Sequence, residues 1–209
     1  FQAQMSTVQA LSGATGSDLA KLTALAKEMG ATTQFTAVES GKALEYMAMA
    51  GWKTNQMIAG LPGIMNLAAA SGEELGIVSD IVTDALTALG MTADDTGRFV
   101  DVLAAAATSS NTNVSGLGEA FQYVASTAGA LGYTAEDLAV ALGVMANSGV
   151  KGSQAGNSLK TALSRMAAPT TAMKSAMDQL GISMTDEYGN TKSLMEVMKN
   201  LRNSIGSVG

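Results

Sequence analysis

Glu73, Asp80 and Asp84 stand at spacings of seven and four, which on a helix would put three carboxylates on one face, an arrangement able to hold a divalent cation. A cation site built from helices draws on His or on a second carboxylate-bearing helix, and neither supports this one, so a solvated acidic face is expected. The stretch Gly149-Val-Lys-Gly-Ser-Gln-Ala-Gly156-Asn-Ser-Leu-Lys160 sets small residues and a lysine ahead of a helix, as a phosphate loop does. A Walker loop needs Gly-Lys followed by Ser or Thr, and Asn157 follows Gly156, so a turn feeding a helix suffices. Asp186, Glu187 and Asn190 hint at a calcium loop, but Tyr188 and Gly189 fall in the wrong places for an EF-hand. Ser and Lys are present without the arrangement that makes a nucleophile and its base. The chain has neither Cys nor His, which removes thiolate nucleophiles, imidazole bases, disulfides and the usual zinc or copper ligands. No catalytic constellation, metal or cofactor is expected, and the chain reads as a non-enzyme.

The elements that would position such residues are helices. Of 209 residues, 47% are apolar and only 14% charged, enough to build a core. Twelve Lys and Arg against 18 Asp and Glu leave a net charge of −6, with a pI near 4.6. Without a basic stripe, direct nucleic-acid recognition is not expected. Four Phe, four Tyr and one Trp are few for a sheet-dominated core, whereas Ala, Leu and 14 Met suit helices, so the fold class is all-α.

Apolar residues recur at helical spacing and stop at glycine: Leu19, Leu22, Ala26 and Met29 before Gly30; Leu75, Val78, Val82, Leu86 and Leu89 before Gly90. Leu138, Ala141, Leu142 and Met145 precede Gly149, Leu159, Leu163 and Met166 precede Pro169, and Leu194, Val197, Met198, Leu201 and Ile205 close the chain. Starts agree with the stops: Thr36/Glu39, Ser71/Glu74 and Ser193/Glu196 fit the capping box, and Thr92/Asp95 and Thr134/Asp137 are shorter versions of it.

An internal repeat is visible at an offset of 98. It carries Phe35, Thr36 and Ala37 onto Tyr133, Thr134 and Ala135, then Ala43-Leu44, Met47-Ala48, Gly51, Lys53 and Gln56 onto Ala141-Leu142, Met145-Ala146, Gly149, Lys151 and Gln154. The expected architecture is therefore a set of glycine-punctuated short helices stacked as helical hairpins, over residues 1–181, with the repeat at about 35–60 and 133–158. Residues 182–209 read as a small β-hairpin near 182–192 followed by a terminal helix.

One continuous helix of this length would span about 310 Å, but Gly30, Gly51, Gly72, Gly90, Gly132, Gly149 and Gly181 interrupt it, so a rod is excluded. The longest uncharged stretches fail as membrane spans: residues 54–72 are broken by Gly60, Pro62 and Gly63, and residues 102–118 carry a Ser/Thr/Asn run. Narrow apolar faces predict completion by partners, including further copies of this chain in a homo-oligomer. Trp52, Lys53 and Met57 are the expected partner-interface residues, Trp52 standing beside Lys53 just past a helix end.

The run Leu103-Ala-Ala-Ala-Ala-Thr-Ser-Ser-Asn-Thr-Asn-Val-Ser-Gly-Leu-Gly-Glu-Ala-Phe-Gln-Tyr-Val124, then residues 128–137 and Ala155-Gly-Asn-Ser-Leu-Lys160, resembles the phage tail tape measure protein family of the TP901 type. Residues 35–37, 48–51, 180–182, 186–189 and 194–198 match in the same order, so the resemblance covers about 11–205. It implies a structural virion protein of long-tailed phages, prophages or tailocins. Such a protein lies inside the tail tube or at its tip, is assembled in the host cytoplasm, and sets tail length. Its implied partners are the tail tube protein, tip or baseplate proteins and tail assembly chaperones, and it leaves ahead of the DNA. The family carries no catalytic residues onto this region. Two other classes stand beside this reading: a channel that inserts into the cell envelope on ejection, making membrane contact, and a cell-wall hydrolase module.

Overall fold

The structure, a computed structural model, describes residues 1–206; the side chain of Ile205 and residues 207–209 lie outside the described residues. The described residues form eleven α-helices and no strand: α1 (Gln2–Ser12), α2 (Ser17–Thr32), α3 (Ala37–Met49), α4 (Thr54–Ser71), α5 (Leu75–Leu89), α6 (Thr96–Ser109), α7 (Val114–Ala130), α8 (Ala135–Asn147), α9 (Gly152–Ala167), α10 (Thr171–Gln179) and α11 (Leu194–Gly206). A 3-10 turn, Ala93–Asp95, precedes α6.

The helices stack in two layers. In one, α1, α3, α5, α7 and α9 lie in order, each against the next odd-numbered helix; in the other, α2, α4, α6 and α8 do the same, and the chain zigzags between them. This is the all-α stack of hairpins that the periodicity predicts. Its core is one contiguous cluster running from Met5 to Leu194. α5 sits in the middle, between α3 and α7, and buries Ser79 and Thr83 as well as Leu75, Val78 and Val82. Both hydroxyls return to backbone carbonyls one turn back, Ser79 to Leu75 at 2.7 Å and Thr83 to Ser79 at 2.9 Å, so neither is left unpaired in the core. Phe99 of α6 meets Phe121 of α7 edge to face, with centroids 5.6 Å apart.

The two hairpins related by the 98-residue offset close with the same turn. Thr36 and Thr134 cap α3 and α8 in complete capping boxes with Glu39 and Asp137. At the far ends Gly51 and Gly149 take φ of 80° and 89°, and Trp52 and Val150 donate to Met47 and Met145. A left-handed residue there suits glycine, which has no Cβ to clash.

Three sequence expectations need correction. Gly30 does not end α2, which continues to Thr32; an added Cβ at Gly30 would meet the Ala37 backbone, so glycine is needed there for close approach. Gly60, Pro62 and Gly63 do not break α4, which runs unbroken through them. Burial of Leu61, Ile64 and Met65 in the core outweighs the hydrogen bond that proline removes. Ser71 and Glu74 make no capping box: Ser71 is the last residue of α4, its hydroxyl returns to Ala68, and Glu74 alone stands at the N-cap of α5. Near residues 182–192 a single antiparallel bridge, Thr185 to Thr191, closes the turn, with the Asp186 carboxylate accepting the Tyr188 and Asn190 amides.

Candidate interaction surface

The residues first singled out for chemistry are engaged in structure. Glu73 does not share a face with Asp80 and Asp84: it precedes α5, and its carboxylate accepts the Ser115 amide at 3.0 Å and the Ser115 hydroxyl, at the first turn of α7. Asp80 and Asp84 line a groove of about 620 Å³ between α3, α5 and α7, with Tyr46, Gln122 and Ser126. Burial pushes the Asp80 carboxyl above the usual range, and the neighbouring Asp84 adds to it. In the glycine-rich stretch, the Glu119 carboxylate lies against Gly152 at the N-terminus of α9, where a phosphate would need to sit. Among the described residues no group of three or more acidic side chains converges on one point.

The expected interface residues divide. Trp52 is only 7% exposed, its ring packed over Gly60 of α4, and Met57 is fully buried. Both are therefore core residues of this chain, Trp52 because the absence of a side chain at Gly60 makes room for the indole. Lys53 is exposed, and its amide is capped by the Gln56 side chain at 2.8 Å.

Single apolar side chains such as Met49 and Val38 are exposed elsewhere, but three exposed apolar residues lie beside one groove at the far end of the stack. Val140 and Val144 of α8 are 46% and 58% exposed, and Met195 of α11 is 53% exposed. Beside them runs an apolar groove of about 490 Å³ between α8, α9 and α11, walled by Ala141, Met145, Leu159 and Met198. On the other flank of α8 a smaller groove of about 310 Å³ separates it from α6. Arg98 bridges this flank, donating to both oxygens of Glu136 at 2.6 and 2.7 Å and holding that carboxyl below its usual range. Sequence reasoning missed Val140 and Val144, since valines on an amphipathic helix read as core. The repeat carried the signal: the matching residues of α3 are Lys42 and Tyr46, types that tolerate a helix exterior. Contiguous exposed apolar side chains of this kind mark contact surfaces. Among the described residues no helix is long and apolar enough to cross a membrane.

Comparison with known proteins adds a second line. A family model described as phage-related minor tail protein matches residues 23–209. The tape measure protein of Pneumococcus phage Dp-1 is 41% identical over 202 residues, which cover 97% of this chain and 18% of that protein. The probable tape measure protein of Escherichia phage P2 is 26% identical over 206 residues, covering 98% of this chain and 25% of that protein. The chain thus spans about a fifth to a quarter of the length of these curated relatives. The family model does not specify the TP901 type. No solved structure matches.

Proposed function

The chain belongs to the phage-related minor tail protein family, and from that premise we propose that it is a folded segment of a tape measure protein, acting in tail assembly, tail-length determination and genome ejection. Its role is structural, as a component of the phage tail. One observation carries the finer reading: similarity to curated tape measure proteins extends over almost the whole chain.

The fold is consistent with a part that acts by contact. A chain that zigzags between two layers cannot measure length at the roughly 1.5 Å per residue of a continuous helix. In this reading the segment is a folded unit on a longer ruler, and its partners are copies of itself, the tail tube protein, tip or baseplate proteins and tail assembly chaperones. The interior of the tail tube or its tip is then its place in the virion. The exposed end around Val140, Val144 and Met195 supports a contact role.

Quantitative mass spectrometry of tails purified from the phage that encodes this chain tests the reading. Peptides from this segment should be present in intact tails and depleted after DNA ejection. Their absence from intact tails would overturn it.

A further inference from the structure

We propose that α11 is a releasable strap: it undocks from α8 together with the connection that carries it, residues 168–193, while α1 to α9 stay folded. The proposal rests on geometry alone and is independent of the tail role.

The connection is weakly seated. α10 buries no residue and makes no substantial packing contact with another helix among the described residues. Among the described residues Ile182, Leu194 and Val197 are the buried side chains of this segment, with Met184 and Met198 partly buried against the core, and Ile182 and Val197 stand outside the contiguous core cluster. Among the described residues, beyond the Ala168 amide that closes the last turn of α9 on the Ser164 carbonyl, two hydrogen bonds tie it to the stack, the Leu194 amide to the Asp137 carboxylate at 3.0 Å and the Thr191 hydroxyl to the Leu131 carbonyl at 2.9 Å. The Ser204 hydroxyl bonds the Leu180 carbonyl, and Lys192 pairs with Glu196, so both of these contacts would travel with the strap.

The internal repeat shows how incomplete the seat is. On α3, Ala43 and Met47 are fully buried in the stack that α5 completes. Their counterparts on α8, Ala141 and Met145, are only half-buried beside α11 and wall the open groove. Release would bare Ala141, Met145 and Leu159 in continuity with Val140 and Val144, so the strap sets how much apolar end face the stack presents. Local opening of this kind needs few buried contacts to break, as in units that exchange below the global unfolding free energy.

The chain has no cysteine, so single thiols report opening cleanly. Val197→Cys and Val124→Cys place one at each of two fully buried valines, in α11 and in α7. In the 209-residue chain the thiol at 197 should label at least ~10-fold faster than that at 124, with a shallower denaturant dependence. A smaller ratio, or equal denaturant slopes, would overturn the strap. Hydrogen exchange of the unaltered chain guards against a variant that misfolds. Amides of α11 should exchange through an opening that leaves α7 to α9 protected, and exchange only in step with α7 to α9 would count against the proposal.

Discussion

The Asp137 carboxylate accepts the Leu194 backbone amide at 3.0 Å, joining the first turn of α8 to the first residue of α11. Its other oxygen takes the Thr134 hydroxyl at 2.9 Å and amide at 3.2 Å, so one side chain satisfies the starts of two helices. Asp137→Ala should therefore lower the urea-unfolding free energy by about 1–2 kcal/mol, the upper part of the range for a lost cap. A change below about 0.3 kcal/mol would show that neither start depends on it.

Two glycine substitutions should act in opposite directions. A Cβ at Gly156 of α9 would run into the Ala120 carbonyl of α7, backbone against backbone. Gly156→Ala should destabilise the fold by about 1–3 kcal/mol, because the two helices must move apart. At Gly63 an added Cβ meets nothing within 4 Å, and the residue lies inside α4. Gly63→Ala should stabilise by about 0.5–1 kcal/mol through helix propensity. Urea titrations of both variants give the signs directly.

Asp80 predicts a pH-dependent gain. Its folded-state carboxyl titrates above the ordinary value of 3.8 because burial and Asp84 disfavour the charge. Ionisation is then harder in the folded than in the unfolded chain. The resulting loss of stability is fully present above the folded-state value and absent below 3.8. Asp80→Asn should raise the melting temperature at pH 7 by about 1–2 °C, and the gain should vanish on acidification through that range. Glu39 and Asp95 titrate below their usual values because the Thr36 and Thr92 amides hydrogen-bond their carboxylates. Their contributions have the opposite sign and fade as pH falls. Melting curves of Asp80→Asn, Glu39→Gln and the parent between pH 3 and 7 test both signs.

The helix boundaries legible in the sequence are those fixed by local chemistry. Thr36 with Glu39 and Gly51 with its positive φ each follow from residues a few positions apart. What escaped was decided by partners far along the chain. Glu73 binds Ser115, 42 residues away. Trp52 is buried because Gly60 leaves room for its ring, and Gly30 lies inside a helix because the Ala37 backbone needs the space. The close approach of α5 to α7 likewise depends on Gly118, over which Ile81 lies. The exposed apolar end was hidden for the same reason: whether Val144 is core or surface depends on how completely α11 covers α8, which no local pattern encodes.

If this stack is a structural part of the tail, as proposed, tails cannot form normally without it. In-frame excision of residues 17–167 from the gene of the encoding phage, followed by tail-length measurement in the electron microscope, tests this most directly. Tails should be missing or changed in length, and tails unaltered in number and length would rule out a structural role for the stack.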